Sequence, residues 1–377
     1  MERYSIEARP EWRERCESLG FQFHSVDGSY WNESACYRFS SAEIDNIEAA
    51  SGELHAMCLD LVAESIRTGS IEPFNLSVTA MELAERSWRN QELSLYGRFD
   101  LAYDGREIKL LEYNADTPTS LLEAAVIQWD WLEQTGGADQ FNSLHEKLIA
   151  RWAVIRRSLP ESLRAIYFTS MQTDNAEDWC NLHYLLDTAS QAGLNCSWIS
   201  LEEIGWDGKA FVDVKDQPIG ACFKLYPWEW MITDEFGRNL KCAATRFIEP
   251  AWKMLLSNKA ILPLLWTRHP GHPLLLPAFF EDGTQRGGDW VRKPLLSREG
   301  SNVSFIQDGV ETLASYANPA YAGPAVLQQR FALPCMDGVH PVLGAWVVGD
   351  DPAGMGIRED ANPITGNTSN FVPHYFE

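Results

Sequence analysis

The sequence predicts an α/β protein of mixed (α+β) architecture, built from two or three lobes, and three observations carry that prediction. Its 377 residues exceed the roughly 100–200 expected of one domain. Residues 165–200 read strand, helix, strand. On either side, strand-like runs flank turn signals at 97–114 and again from Trp290 onward.

The elements follow in order. Ser40-Ser-Ala-Glu43 has the form of a capping box, and Ile44, Ile47, Leu54, Leu61 and Val62 recur with helical spacing, which predicts a helix over 41–67. Gly97-Arg-Phe-Asp-Leu-Ala-Tyr103 and Ile108-Lys-Leu-Leu-Glu-Tyr-Asn114, joined at Asp104-Gly105, predict a hairpin. An apolar helix is expected over 121–132. Ala165-Ile-Tyr-Phe-Thr-Ser170, a helix over 176–192 closed by Gly193, and Cys196-Ser-Trp-Ile-Ser200 form the α/β unit. Turns then lead to the aromatic run Lys224-Leu-Tyr-Pro-Trp-Glu-Trp230, whose tryptophans line a channel or fill the core. A boundary falls near Pro250, followed by a helical 253–259 segment and a Pro-rich connection to Pro277.

Composition excludes several function classes. Hydrophobic residues make up 45% and charged ones 22%, enough to bury a core, and no run approaches the ~18 apolar residues of a membrane span. The charged N-terminus has no secretory signal, so a cytoplasmic location is expected. The 8 cysteines include no CxxC pair and fit reduced thiols better than a zinc site or disulfide framework. A formal charge of −22 repels phosphate backbones and argues against nucleic acid as a partner; it would attract cations such as polyamines. There is no GxSxG elbow, no HExxH and no complete GxGxxG.

Two constellations carry chemistry. Alternate strand residues share a face, so Arg98 and Asp100 on one hairpin strand and Glu112 and Asn114 on the other can converge. Two carboxylates and an amide suit a hard Mg²⁺ ion, and an adjacent arginine suits a transferring phosphoryl group; the same residues also fit a solvated hairpin face with ordinary salt bridges. Lys293 in a strand, followed by Ser297-Arg-Glu-Gly-Ser-Asn-Val303, can offer a cation and backbone N–H groups to a triphosphate without a P-loop, or can be a surface lysine before a hairpin loop. Lys259 is a third cation, or the solvent-facing end of a helix.

Taken together, Gly97-Arg-Phe-Asp100, Glu112-Tyr-Asn-Ala-Asp116, Gln191-Ala-Gly193 with Glu203-Ile-Gly-Trp-Asp207, Asn258-Lys-Ala-Ile-Leu-Pro263, Arg292-Lys-Pro294 with Gly300-Ser-Asn-Val303, Gln328-Gln329 before Leu333-Pro334, and Gly356-Ile-Arg358 resemble, in order and over nearly the whole chain, the synthetase domain of glutathionylspermidine synthetase and its shorter bacterial acid–amine ligase relatives. The resemblance implies an ATP-grasp fold. Its core would begin in 1–160 with the metal-binding hairpin, a pre-ATP-grasp-like lobe would occupy 161–250, and the nucleotide-binding lid and C-terminal core would occupy 251–377. It implies ATP and Mg²⁺ as cofactors, with Asp100, Glu112 and Asn114 as metal ligands and Arg98 as the transition-state cation. Lys259, Lys293 and Arg358 would hold phosphates, the loop containing Arg298, Gly300, Ser301 and Asn302 would cover them, and Gln328 and Gln329 would line the adenine pocket. Thr117 and Thr119 stand where the family's hydroxyl residues contact a thiol tripeptide, and Glu177 and Asp178 where an amine could be received. Because the chain begins at the synthetase part, no amidase activity is expected.

The function so implied is an ATP-dependent ligase that forms an amide from a small carboxylate and an amine through an acyl phosphate. A nucleotide-binding sensor or assembly module that keeps the fold without turnover is the alternative.

Overall fold

The structure, a computed structural model, describes residues 1–25, 28, 30–161, 165–171, 176–367 and 369–377. Its centre is a five-stranded antiparallel sheet in the order 370–372, 351–360, 340–348, 96–103 and 108–114. The predicted hairpin is therefore the edge of this sheet, and its inner strand pairs with one far along the chain. Register places Arg98 opposite Asn114 and Asp100 opposite Glu112, with a bulge after Asp100. Gly344 on the next strand lies opposite Asp100, and a Cβ there would sit 2.9 Å from Arg98 Cδ. A glycine at this position leaves the arginine its space.

The long helix Ser41–Thr68 packs against the two strands beyond the hairpin. Its capping box forms as predicted: Ser40 Oγ accepts from the Glu43 amide at 3.4 Å, and the Glu43 carboxylate accepts from the Ser40 amide at 2.9 Å. Gly69, at φ 71°, ends it in the left-handed conformation. Ile44, Ile47, Leu54, Leu61 and Val62 are all buried beneath it.

A second, parallel sheet takes the order 246–248, 221–225, 165–170 and 195–200, with helix Ala176–Gln191 connecting two neighbouring strands. A third, antiparallel sheet runs 278–280, 325–329, 289–294, 304–307 and 310–314. Strands 2–5, 35–39 and 374–376 form a small sheet joining the two ends of the described chain.

Three local expectations are corrected. The apolar helix over 121–132 contains a π-helical stretch, Glu123–Ile127, and continues as Gln128–Thr135 before Gly136 stops it. The connection after Lys259 contains a helix, Ile261–Arg268, because Pro263 falls in its first turn, where no intrahelical N–H is required. The helix before it is shorter than expected, Lys253–Ser257.

Candidate active site

The three larger sheets meet at a cavity of about 340 Å³. One wall is the hairpin face. Arg98 Nε donates to Asp100 Oδ1 at 2.8 Å, and its Nη1 donates to the Thr119 carbonyl at 2.7 Å. Asn114 Nδ2 donates to Asp100 Oδ2 at 3.3 Å and Glu112 Oε1 at 3.1 Å. The strand alternation thus brings Arg98, Asp100, Glu112 and Asn114 together. These oxygen donors suit a hard ion. Among the described residues no set of three or more His, Cys, Asp or Glu side chains is grouped to hold a metal, so an ion here would draw its remaining ligands from phosphate and water.

The cations come from two other directions. Lys259 is buried, donating to the Ser297 carbonyl at 2.9 Å and lying 3.2 Å from Glu112 Oε2; the solvent-facing alternative is set aside. Lys293 is held by the Leu111 carbonyl at 2.9 Å and Gln328 Oε1 at 2.8 Å. Gln328 in turn donates to the Leu110 carbonyl at 2.8 Å, bracing the lysine against the hairpin.

Removal from water would raise the Glu112 carboxyl, yet Lys259 and Lys293 hold it down at about 2. Burial pushes Lys293 down to about 8 against the attraction of Glu112. Asp100 is pushed upward by burial despite Arg98. Charge is therefore concentrated where water is scarce, the environment in which an electrostatic contact is worth most.

The cavity wall includes donors with nothing to donate to. Among the described residues Arg298 Nε, Arg358 Nε and Ser297 Oγ are buried without hydrogen-bond partners, and all three residues line the cavity. Arg358 also donates through Nη2 to the Gly366 and Asn367 carbonyls. Arg298 Nη1 donates to Thr117 Oγ1 at 2.6 Å and Nη2 to Glu229 Oε1 at 2.9 Å, with the guanidinium 5.8 Å above the Trp230 ring. Gly300 holds φ 70°, and a Cβ there would meet the Thr365 carbonyl at 2.5 Å, so the loop lies this close to Thr365 only with glycine at that point.

Thr117, Thr119, Glu177, Asp178 and Gln329 also line the cavity. Ser301 and Asn302 do not: Ser301 is buried, and the Asn302 amide bonds to the Asn318 backbone, fastening the loop from behind. The tryptophans divide, with Trp228 in the core and Trp230 on the cavity wall.

Two functional contacts escape the sequence reasoning. Glu229 meets Arg298, for which the only sequence signal is the Trp-Glu-Trp run. Asp116 and Lys224, each 1% exposed, form a buried ion pair at 2.6 Å. Asp116 also accepts from the Trp228 amide at 2.9 Å, pinning the Trp228–Met231 turn beside the hairpin.

Comparison with known proteins accords with this geometry. The profile of the family described as "Glutathionylspermidine synthase preATP-grasp" matches residues 3–377. A Haemophilus influenzae protein named "Putative acid--amine ligase" is 48% identical, covering 98% of this chain and 97% of its own length. Crithidia fasciculata trypanothione synthetase is 29% identical over 85% of the chain, and the Escherichia coli bifunctional glutathionylspermidine synthetase/amidase is 25% identical over 96%. The chain spans 53% and 63% of those two longer proteins. A solved glutathione synthetase-like effector from Globodera pallida shares the fold, with TM-score 0.59, 12% identity, and 99% and 100% of the two chains covered. The architecture is of the ATP-grasp type. The chain belongs to the glutathionylspermidine synthase family of ATP-dependent carboxylate–amine ligases.

Proposed function

We propose that the chain joins a small carboxylic acid to an amine at the expense of ATP, through an acyl phosphate. The observation that carries this reading is the convergence of Arg98, Lys259, Lys293, Arg358 and the orphaned donors on one cavity beside two carboxylates.

A carboxylate does not acylate an ammonium ion, so activation must come first. Lys259 and Lys293 bind the polyphosphate of ATP while the Val291, Phe331 and Leu333 side of the cavity takes the base. Asp100, Glu112 and Asn114 would hold Mg²⁺, whose chemistry when bound would be to neutralise phosphate charge. Arg98 and Arg358 stabilise the charge on the phosphoryl group as it moves to the acid. The loop carrying Arg298 and Gly300 covers the cleft and excludes water from the acyl phosphate. The amine then attacks the acyl carbon and phosphate leaves.

The thiol tripeptide and polyamine named in the relatives are the first substrate class to consider. Thr117 and Thr119 face the acid side. Asp178, pushed up to about 6 by burial and then by Glu177 and Glu299, marks a crowded acidic patch that a cationic amine would relieve.

The test is release of ADP and phosphate from Mg-ATP across a matrix of acids, glutathione included, against polyamines and diamines, with mass spectrometry of each mixture. Acid-dependent ADP formation with a dehydrated conjugate supports the ligase. Nucleotide binding without either product across the matrix favours the sensor.

A further inference from the structure

A buried carboxyl behind the cavity is left unused by this mechanism. Glu123 is wholly inaccessible to solvent, and among the described residues its Oε2 has no hydrogen-bond partner. Its Oε1 accepts from the Tyr30 hydroxyl at 2.7 Å, and the Tyr30 oxygen lies 3.0 Å from Ser120 Oγ. Among the described residues no lysine or arginine lies within ion-pair distance of Glu123, so this is not a salt bridge that serves packing. A carboxyl buried without a counter-charge and with an idle oxygen is costly to stability.

Ser120 is the end of this hydrogen-bonded chain nearest the cavity. It is buried, 3% exposed, and lines a recess of about 10 Å³, room for about one water, shared with Arg98, Asp100 and Arg358, the groups assigned above to the transferring phosphoryl. Its backbone is held at φ 68°, a conformation that a non-glycine residue adopts at a cost of order 1 kcal/mol or more. Neighbouring contacts fix it there. Thr119 gives its carbonyl to Arg98 at 2.7 Å, and the Leu121 amide is taken by Asn181 Oδ1 at 2.9 Å.

We propose, resting on the ligase reading, that Ser120, Tyr30 and Glu123 form a proton relay that accepts the proton shed by the incoming ammonium group. The ammonium N–H gives its proton to a water in this recess, whose own proton passes to Ser120 Oγ as the serine proton passes to Tyr30 and the tyrosine proton to the Glu123 carboxylate. The freed nitrogen lone pair forms the C–N bond, and the acyl C–O bond to phosphate breaks with its electron pair leaving on phosphate. Ser120 takes the proton by way of that water, and Tyr30 and Glu123 act through Ser120.

Glu123 is suited to the task. Burial first, and then Glu177, push its carboxyl up to about 8, with Tyr30 and Arg358 opposing. The titratable groups around it are Tyr30, Glu177 and Cys180, with Arg358 as the nearby fixed charge. A proton acceptor poised near working pH is the efficient case for general-base transfer.

The experiment compares amide formation from glutathione and spermidine with hydroxamate formation from glutathione and hydroxylamine, a nucleophile already uncharged at neutral pH. Glu123→Gln keeps an acceptor for Tyr30, and Tyr30→Phe breaks the chain while keeping the ring, at the cost of leaving Glu123 Oε1 unpaired; melting temperatures of both variants establish whether they fold. The relay requires each variant to lose about 10²-fold or more of amide formation while hydroxamate formation stays within about threefold of wild type. It also requires the wild-type rate to rise with pH through the region near 8 and the Glu123→Gln rate to lose that rise. Equal loss of both products, or amide formation at the wild-type rate in Glu123→Gln, overturns the relay alone. A wild-type protein that releases no acid-dependent ADP with either nucleophile overturns the ligase reading and the relay with it.

Discussion

Replacing Asp116 by asparagine leaves the Lys224 ammonium buried without its counter-charge. The two side chains are each 1% exposed and lie 2.6 Å apart, so water cannot substitute for the lost partner. Removing one member of such a pair typically costs about 3–5 kcal/mol, against about 5–15 kcal/mol for the whole stability of a domain. Asparagine also keeps only one acceptor oxygen, where Asp116 now serves both Lys224 Nζ and the Trp228 amide. The double variant Asp116→Asn, Lys224→Met removes the stranded charge and should recover most of the loss. Urea and thermal unfolding of the wild type, both single variants and the double variant give the coupling directly. An Asp116→Asn protein within about 1 kcal/mol of wild type, or a double variant no more stable than Asp116→Asn, would refute the reasoning.

Glu112→Gln should abolish ADP release while the protein stays folded, because the amide cannot supply a carboxylate to the ion or to Lys259; full activity with an unchanged melting temperature removes Glu112 from the site. His374 is wholly buried, and burial holds its imidazole down at about 3, below the ordinary value near 6.5. Its folded form excludes the proton that the unfolded chain takes up, so its contribution to stability is complete above pH ~6.5 and is lost as pH falls toward 3. Between those limits wild type should lose roughly 1.4 kcal/mol per pH unit more than His374→Phe, measured by urea unfolding; parallel slopes would remove His374 as the cause.

The hairpin face was legible because its information is local. Alternation puts Arg98 with Asp100 and Glu112 with Asn114; the tight turn sets the register as far as Leu101, and the bulge after Asp100 then brings Glu112 opposite it. The long helix was legible for the same reason, since Ser40 and Glu43 close its first turn on themselves. What alternation cannot show is which distant strand completes a sheet. The pairing of 340–348 with 96–103 decides that Gly344 faces Arg98, and nothing near either residue announces it. Lys259 shows the same limit: a lysine at a helix end is ordinarily solvated, and only the packing of the 289–294 strand and its loop turns it inward onto Glu112. Resemblance supplied Ser301 and Asn302 as a pair with Gly300, and the structure separates their places, with Gly300 at the cavity and Asn302 behind it.

The contact between Arg298 and Glu229 bears on how affinity in this cleft is to be read. The guanidinium already holds a carboxylate at 2.9 Å and a hydroxyl at 2.6 Å. A ligand anion can take the unpartnered Nε, but it meets a charge already shared with Glu229, and its measured dissociation constant reports attraction to a partly neutralised guanidinium rather than the strength of one full ion pair. Weakly bound acids are thus filtered by a competitor that the protein carries at fixed, intramolecular concentration.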